Sequence, residues 1–358
     1  MALKALIAMS GGVDSSVAAL ITKQAGYECV GCTMRLFDGE DGTEGKCCSL
    51  DDVEDARSVA QRLGMPYYVF NFTADFKTAI IDKFAGYYLR GLTPNPCIDC
   101  NRYMKFGKLS ERAAVLGCDK IVTGHYARVE QDPASGLYKL KKALDPAKDQ
   151  SYVLYSMDQH QLEHTLFPLG GMDKKEVRAI AAENGFLNAH KPDSQDICFI
   201  PDGDVGAAVK KYAGVSPEPG DFVDEDGKVL GKHGGICKYT VGQRKGLGIA
   251  YEYPLYVKKI DVANNRVILG GGGSVFAREA KVRDINWISG FAPGYEIECS
   301  VRVRYHAPES KARLKISPDG KTADVIFESP QRAVTPGQAA VFYNGDEVLG
   351  GGEIAPEN

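Results

Sequence analysis

Residues 10–16 read SGGVDSS, between the apolar run KALIAM (residues 4–9) and the run VAALITKQ (residues 17–24). The first run is typical of a strand and the second of a helix. A glycine-rich turn between a strand and a helix lets backbone N–H groups approach an anion, and the helix N-terminus adds a favourable dipole. We therefore expect a phosphate-binding turn in which Asp14 suits a magnesium ion or the proton of a nucleophile. The expected hydroxyl donors are Ser10, Ser15 and Ser16. An ordinary tight turn with capping serines is the alternative.

The N-terminal half of the chain alternates strand-like and helix-like runs. The strand-like runs are KALIAM, ECVGCTMRL, YYVFNF and KIVTGHYA, and such alternation is typical of a parallel sheet covered by helices. From about Gly220 the runs are short, rich in Val, Ile and Tyr, and separated by turn sequences such as DEDGK and SPDGK. The predicted fold class is α/β, with a doubly wound parallel sheet in residues 1–203. Two small mostly-β domains are expected to follow in residues 204–278 and 279–358, the last of them barrel-like.

The composition is that of a globular protein, with 44% hydrophobic and 25% charged residues among 358. No run of eighteen apolar residues is present, and the N-terminus lacks a signal-peptide core. We therefore expect a cytoplasmic protein with no membrane partner. In a reducing compartment, its ten cysteines are expected to be reactive or metal-binding thiols rather than a disulfide framework.

The net charge of −4 conceals two basic clusters in the second half of the chain. The first cluster spans residues 232–259, with six Lys or Arg against Glu252 alone, and the second spans residues 302–315, with five against Glu309 alone. Such clusters favour contacts with nucleic-acid phosphates, and solvated surface charge is the alternative. His160, His164, His190 and His233 are expected to be structural or surface residues without ligand spacing.

Two cysteine segments carry the candidate nucleophiles. In TPNPCIDCN (residues 93–101) two prolines predict an extended loop, and a helix is expected to begin near Lys105. Arg102, Lys105 and the helix N-terminus favour the thiolate form of Cys100. Cys198 lies in DICFI, where apolar neighbours equally suit a buried strand. The adjacent pair Cys47 and Cys48 suits sulfur relay, metal binding or simple exposure.

The turn SGGVDSS resembles the pyrophosphatase loop of the ATP-pyrophosphatase family. Six further strings, in chain order, resemble the tRNA-specific 2-thiouridylases. They are LTPNPCIDCNRYMKF (92–106), TGHYA (123–127), KDQSYVLY (148–155), DSQDICFI (193–200), YTVGQRKGLGI (239–249) and TPGQAAVFYNGDEVLGGG (335–352). The resemblance covers nearly the whole chain. It implies that the parallel-sheet domain is an ATP-pyrophosphatase domain and that the substrates are ATP with Mg²⁺ and the tRNA anticodon loop.

The resemblance also implies a chemical mechanism. ATP would adenylylate the C2 oxygen of the wobble uridine, persulfide sulfur on Cys198 would displace AMP, and Cys100 would resolve the remaining sulfur bond. A sulfur-donor protein, such as a cysteine desulfurase or a sulfur relay, is the implied partner. The implied ATP-binding residues are Ala8, Met9, Ser10, Gly11, Gly12, Val13, Asp14, Ser15, Met34 and Gly124.

The implied tRNA-contacting residues come from several segments. They are Asn95, Pro96, Cys97, His125, Lys148, Asp149, Gln150, Arg304, Tyr305 and Gln338. An anticodon loop is single-stranded, so its bases can be splayed out, stacked on aromatic or Arg side chains and placed in a pocket. Its phosphates would be met by the two basic clusters.

One position departs from the family pattern, because many members have an acid where this chain has Cys97. Thiolates of Cys97, Cys100 and Cys198 are the ligand type of a [4Fe–4S] cluster that would deliver the sulfur instead. A redox disulfide within Cys97 and Cys100, or no role for Cys97, is the other alternative. Rival functions are an ATP-pyrophosphatase acting on a small molecule and a non-catalytic RNA- or metal-binding protein.

Overall fold

The computed structural model describes residues 2–37, 50–192, 197–200 and 202–356. Cys47 and Cys48 lie outside these ranges. The strands are β1 Lys4–Ala8, β2 Glu28–Arg35, β3 Tyr67–Asn71, β4 Lys120–Val122, β5 Ala127–Gln131, β6 Tyr138–Lys142, β7 Thr165–Leu166, β8 Gly220–Val223, β9 Val229–His233, β10 Tyr256–Asp261, β11 Arg266–Gly270, β12 Phe276–Trp287, β13 Glu296–Arg302, β14 Ser310–Ile316, β15 Ala323–Arg332, β16 Ala339–Asn344 and β17 Glu347–Ile354.

The helices lie mainly in the N-terminal half. They are α1 Val13–Gln24, α2 Leu50–Arg62, α3 Thr73–Phe76, α4 Asp82–Leu89, α5 Pro96–Asp99, α6 Leu109–Val115, α7 Gln159–Glu163, α8 Lys174–Glu183 and α9 Val205–Ala213. Two π-helical segments, Lys77–Ile81 and Cys100–Lys108, join α3 to α4 and α5 to α6. Short 3-10 turns occur at Ser151–Leu154, Ile236–Lys238 and Gly272–Val275. In the described ranges, no helix combines the length and the apolar character needed to cross a bilayer.

The first sheet is parallel, with strand order β3-β2-β1-β4-β7. The chain moves outward from β1 to β3 and then returns to place β4 on the other side of β1. In such sheets the loops that follow the two central strands diverge and open a crevice at the carboxyl edge. The turn after β1 and the segment after β4 therefore meet at this edge.

Helices cover both faces of this sheet. On one face, the apolar sides of α1, α2 and α8 pack on β1 and β2, with Val17, Ala56 and Val177 fully buried or nearly so. On the other face, Phe76 and Phe84 from α3 and α4 pack with Met104 over Leu6 and Val30. Burial on both faces explains why the strand runs are almost continuously apolar. The predicted doubly wound α/β domain is confirmed.

The C-terminal half contains two β structures, as predicted. A four-stranded sheet has the order β10-β11-β8-β9 around a core that includes Phe222 and Val257. The six strands β12 to β17 then form a closed barrel, because β12 pairs with both β15 and β17. Inward positions of the barrel strands are apolar, including Val301, Leu314 and Phe342. The boundaries expected after residues 203 and 278 stay predictions.

The barrel is joined to the N-terminal half by a hairpin that the sequence did not predict. Strands β5 and β6 pair with each other, and β6 then adds to β17 through Leu140 opposite Val348. Arg128 of β5 forms an ion pair with Asp346 at 2.7 Å. One continuous eight-stranded sheet therefore includes segments from both ends of the chain.

Candidate active site

The turn after β1 adopts a backbone that requires glycine. Gly11 has a φ of +74°, and a Cβ on it would lie 2.7 Å from the Cα of Asp52. The Ser15 hydroxyl accepts from the Ser10 N–H at 3.2 Å and donates to the Gly12 carbonyl at 3.0 Å. The Ser16 hydroxyl donates to the same carbonyl at 3.0 Å. These hydroxyls therefore hold the turn in shape, as a preorganised anion site requires.

One further residue fixes the turn, and the sequence does not identify it. The Asn188 amide donates to the Gly11 carbonyl at 2.9 Å and to the Ser16 hydroxyl at 3.0 Å. Asn188 is buried and lies 177 residues along the chain from Gly11. No local pattern links residues so far apart in sequence, so only the tertiary structure reveals this contact.

Asp14, in the first turn of α1, is half-buried and ion-paired. Lys174 Nζ lies 2.6 Å from Asp14 Oδ1 and 2.7 Å from Oδ2, and the Tyr126 hydroxyl donates to Oδ1 at 2.8 Å. Lys174 begins α8, which packs beside α1. A carboxylate and an ammonium thus stand together at the phosphate turn, where they suit a magnesium-bound triphosphate.

The segment after β4 lies directly against the start of α1. A Cβ on Gly124 would lie 2.8 Å from the Ser15 nitrogen and 2.9 Å from the Asp14 carbonyl carbon. Only glycine therefore allows this close approach. The structure thus brings together Gly124 and the turn residues, which the family resemblance assigned to one nucleotide site.

The strand ends complete this edge of the sheet. Ala8 ends β1, and Met9 follows it with its N–H bonded to the Cys32 carbonyl at 2.8 Å. The Met9 carbonyl accepts from the Thr33 hydroxyl at 2.6 Å, next to the buried Met34 on β2. Val13 is buried as the first residue of α1. The expected ATP-binding residues therefore cluster at the carboxyl ends of β1 and β2 and at the start of α1.

His125 is buried beside this turn and has a defined tautomer. Lys105 Nζ lies 3.3 Å from His125 Nε2, and the Thr123 hydroxyl lies 2.7 Å from Nδ1. A protonated lysine can only donate, so Nε2 accepts and Nδ1–H donates to Thr123. Burial, and then the charge of Lys105, hold the pKa of His125 well below its ordinary 6.5. The imidazole is therefore neutral at physiological pH.

This lowered pKa predicts a loss of stability in acid. Below pH 6.5 the unfolded chain protonates His125 while the folded chain does not, so the contribution falls by about 1.4 kcal/mol per pH unit until the folded pKa is reached. Urea unfolding of His125→Gln and wild type at about pH 7.5 and about pH 5.5 should show less acid destabilisation in the variant. Far-ultraviolet circular dichroism of the α-helices is the suitable signal. Every described α-helix ends before Gly214, so this signal reports unfolding of the part of the chain that contains His125.

Exposed His190 supplies the matched control. His190→Gln should retain the wild-type dependence of stability on pH. Equal acid sensitivity of His125→Gln and wild type would contradict the neutral, buried imidazole.

The cysteine loop after Leu92 differs from its prediction. A helix begins at Pro96 rather than near Lys105, because Asn95 caps it by accepting the Cys97 N–H at 3.1 Å. Proline in the first turn loses no hydrogen bond there. Pro96 is buried, Cys97 is exposed and Cys100 is half-buried at the start of the π-helical segment.

The π-helical segment that begins at Cys100 approaches the glycine turn. Cys100 is its first residue, and Lys105 follows about one turn later in the same segment. Lys105 in turn contacts His125 at 3.3 Å. Short π-helical segments often occur at functional sites. The thiol-bearing helix and the phosphate turn are therefore linked through Lys105, His125 and Gly124.

Asp99 precedes Cys100 but does not replace the acid that is absent at position 97. Its carboxylate is buried and accepts from Lys83 Nζ at 2.8 Å. Burial raises the pKa of Asp99, and the charges of Lys83 and Arg102 oppose that rise. Asp99 therefore anchors the helix to α4.

Cys198 lies on a turn, not in the buried strand that was its alternative prediction. Cys198 is half-buried, whereas the following Phe199 is buried. The centroid of the Phe199 ring lies 5.2 Å from that of Phe84 and 5.8 Å from that of Phe76. Cys198 and Cys100 pack against the same hydrophobic core. The aromatic anchor thus fixes the turn and leaves the thiol partly exposed.

The cysteines do not form a compact metal site in the described residues. The group of His, Cys, Asp and Glu ligand atoms that all lie within 4.8 Å of one another consists of His160, Glu163 and His164 instead. That grouping applies to the ligands of a single ion, whereas the thiolates of a [4Fe–4S] cluster bind different irons, so the [4Fe–4S] alternative stays a prediction. The expectation that His160 and His164 lack ligand spacing is wrong, because they lie four residues apart, His160 in the first turn of α7 and His164 at its C-cap.

The expected tRNA-contacting residues meet at a junction of three chain regions. The Gln338 amide donates to the Thr93 carbonyl at 2.8 Å. Arg304 donates to the Val241 carbonyl at 2.6 Å and also to the Thr335 hydroxyl. The barrel and the middle sheet region therefore support the loop that presents Cys97.

Tyr305 extends this junction toward the cysteine loop. Its ring stacks edge-on against Tyr152 at 5.9 Å. Burial, then the charges of Asp149 and Cys97, raise the pKa of Tyr305. The Tyr305 phenol is thus near both Asp149 and the exposed Cys97.

The segment 148–150 is mainly structural in its side-chain contacts. Asp149 is buried, accepts from Ser151 Oγ at 2.9 Å and lies 3.4 Å from Arg302 Nη1. The Gln150 amide oxygen accepts from the Tyr126 N–H at 2.9 Å. Lys148 is half-buried. Of the three residues, Asp149 is the most buried, so its side chain is the least accessible to tRNA.

The two basic clusters are distributed unequally. In the second cluster, Arg302 and Arg304 point into the domain junction, whereas Lys311, Arg313 and Lys315 alternate outward along β14. In the first cluster, Lys232 and Lys258 pair with Asp221 and Glu225. The exposed members of that cluster include Arg244 and Lys245.

Comparison with known proteins is consistent with this geometry. A family model described as the tRNA methyl transferase HUP domain matches residues 3–202. Models described as the tRNA methyl transferase PRC-barrel domain and the aminomethyltransferase beta-barrel domain match residues 207–271 and 277–354. The matches follow one another in the order of the three observed sheet structures.

Curated relatives align along nearly the entire chain. The tRNA-specific 2-thiouridylase MnmA of Heliobacterium modesticaldum is 49% identical, covering 98% of this chain and 91% of its own length. The proteins of the same name from Acetivibrio thermocellus and Clostridioides difficile are 49% and 48% identical, covering 98% of this chain and 99% and 98% of theirs. The alignments cover 98% of this chain, so they extend over the glycine turn, the cysteine segments and the barrel. The chain therefore belongs to the tRNA-specific 2-thiouridylase family.

Proposed function

We propose that this protein replaces the C2 oxygen of the wobble uridine in a tRNA anticodon with sulfur, using ATP in the cytoplasm. The observation that carries the proposal is the link between the phosphate turn and the thiol-bearing helix. Gly124 touches the turn, and the adjacent His125 contacts Lys105 of the helix that begins with Cys97 and Cys100. Nucleotide activation and sulfur transfer would then occur at one edge of the sheet.

In the activation step, the turn would bind magnesium ATP. Backbone N–H groups around Gly11 and Gly12 would receive the phosphates, and Lys174 would balance their charge beside Asp14. Attack of the uracil C2 oxygen on the α-phosphorus would form the O-adenylyl uridine and release pyrophosphate. The carbonyl oxygen would thereby become part of a good leaving group, AMP.

In the sulfur step, a persulfide on Cys198 would supply the incoming atom. Its terminal sulfur would attack C2 and expel AMP, giving a C2–S–S–Cys198 linkage. The Cys100 thiolate would then attack the Cys198 sulfur, leaving sulfur on C2 and forming a Cys100–Cys198 disulfide. A thiol reductant would restore both cysteines, and a sulfur-donor protein would reload Cys198.

The neutral His125 has a positioning role in this proposal. As the Nδ1–H tautomer it accepts a hydrogen bond from Lys105 at Nε2. Its ring lies nearly perpendicular to that of Phe167, with the two ring centroids 5.8 Å apart. The Asn95-to-Cys97 segment, Tyr305, Arg304 and Gln338 would surround the flipped uridine and its neighbours. Exposed lysines and arginines of the two basic clusters would bind phosphates, so tRNA affinity should weaken as salt rises.

The decisive experiment supplies anaerobically purified protein with ATP, magnesium, a cysteine desulfurase with cysteine, a thiol reductant and unmodified tRNA carrying uridine at the wobble position. Nucleoside mass spectrometry should detect 2-thiouridine, and tRNA should stimulate pyrophosphate release. The same tRNA with a wobble cytidine is the matched control, which should remain unmodified. Asp14→Asn should lose both activities, because the carboxylate at the turn is removed while its shape is kept.

The possible outcomes separate the alternatives. Pyrophosphate release without thiouridine would support activation and contradict the desulfurase as the sulfur donor. Pyrophosphate release that ignores tRNA would indicate a small-molecule substrate. Absence of any modified nucleoside together with absence of pyrophosphate release would contradict the proposal.

A further inference from the structure

A second cluster of potential ligands lies on α7, away from the phosphate turn. His160, Glu163 and His164 lie in the sequence HQLEH, and one ligand atom from each lies within 4.8 Å of the others. The two imidazole centroids are 4.3 Å apart. Residues three and four apart on a helix share a face, so all three side chains point from one side of α7.

The helix that carries this cluster is firmly anchored. Asp158 and Gln161 form a reciprocal capping box at its start. The Gln161 amide also donates to the Phe106 carbonyl at 2.8 Å, and Leu162 is fully buried. The Gln159 amide donates to the Ile288 carbonyl at 2.7 Å. The opposite face is thus held by packing, and the ligand face is preorganised.

The orientation of His164 is that of a metal ligand. Its Nδ1 lies 2.9 Å from the His160 carbonyl oxygen. A carbonyl can only accept, so Nδ1 carries the proton and Nε2 keeps its lone pair. Histidines that bind metals commonly donate their other ring N–H to a carbonyl or carboxylate in this way.

We propose that His160, Glu163 and His164 bind one divalent transition-metal ion, with Zn²⁺ as the best match. Two imidazole nitrogens and one carboxylate oxygen form a standard three-residue zinc set, and water would complete the tetrahedron. Nitrogen donors disfavour Mg²⁺ and Ca²⁺. His160 and Glu163 are exposed and His164 half-buried, so the ion can enter from solvent.

The site lies at the opposite end of the sheet from the phosphate turn. Helix α7 leads into β7, and the His164 carbonyl accepts the Ile121 N–H at the start of β4. The ion would therefore stabilise the connection between α7 and β7, at the end of the sheet where the parallel strands begin. This role is independent of ATP and tRNA.

Calorimetric titration of the full chain with Zn²⁺ tests the site. His160→Gln with His164→Gln, and Glu163→Gln alone, should each lose a binding event or weaken it at least about tenfold. Exposed His190→Gln is the matched control and should retain that event. Circular dichroism checks that each variant is folded.

Titration with Co²⁺ separates this site from the cysteines. Nitrogen and oxygen ligands give weak visible bands, whereas thiolates add an intense near-ultraviolet charge-transfer band. The visible bands should disappear in the double His variant while any thiolate band persists. Equal Zn²⁺ binding by wild type and the double variant, or a spectrum showing thiolate ligands alone, would overturn the proposal.

Discussion

Replacing Cys198 or Cys100 with serine should reduce 2-thiouridine formation by roughly 10⁴-fold or more, while tRNA-stimulated pyrophosphate release continues. The hydroxyl nearly preserves side-chain volume but cannot carry a persulfide or resolve one. The two thiols are half-buried on separate segments that pack on one hydrophobic core. Their loss should therefore affect sulfur transfer rather than nucleotide activation.

The assay should supply sulfur through a cysteine desulfurase and cysteine, so that a protein carrier is required. Cys118→Ser is the matched control, because Cys118 is a half-buried thiol before β4, at the sheet edge opposite the phosphate turn. Its activity should equal that of wild type. Undiminished thiolation by Cys198→Ser would disprove the persulfide role. Restoration of Cys198→Ser by free sulfide would restrict that role to carrying sulfur.

Gly11→Ala should destabilise the parallel-sheet domain by roughly 2–5 kcal/mol and abolish tight ATP binding. Gly11 has a φ of +74°, which costs an alanine about 1–2 kcal/mol. The new methyl group would also collide with the backbone of Asp52. Relief of this collision would displace the start of α2 or the phosphate turn itself.

Gly26→Ala separates the two contributions. Gly26 has a φ of +90°, but a Cβ there would meet no atom within 4 Å. It should therefore cost only the conformational part, about 1–2 kcal/mol, and leave ATP affinity unchanged. Circular dichroism during urea unfolding and calorimetric ATP titration would measure both quantities. Equal effects of the two substitutions would rule out the close contact at Asp52.

The fold and the location of the nucleotide site were predictable because their signals are local. Apolar runs define the parallel strands, and the glycine turn between β1 and α1 marks the position where phosphate is expected. The partners of that turn were not predictable: Lys174 lies 160 residues from Asp14, and Asn188 lies 177 residues from Gly11. Contacts across such distances depend on how α8 returns to the sheet.

The cysteine segments show a second limit. The two prolines predict an extended loop, although proline fits equally well at the start of a helix, as Pro96 does in the helix capped by Asn95. The π-helical segment from Cys100 to Lys108 has no composition that distinguishes it from an α-helix. Likewise, the apolar neighbours of Cys198 suit a strand. In the structure Phe199 packs against other aromatic rings, and the segment forms a turn.

The hairpin that joins β6 to β17 has a consequence for synthesis on the ribosome. Leu140 cannot pair with Val348 until Val348 has been synthesised, about 200 residues later. At ordinary elongation rates this delay is roughly 10–40 seconds. Throughout that interval the outer edge of β6 exposes unpaired backbone groups, which can pair with other nascent chains. The three lysines of β6 (Lys139, Lys141 and Lys142) disfavour such pairing. The newly made N-terminal half is thus protected by charge until the last strand arrives.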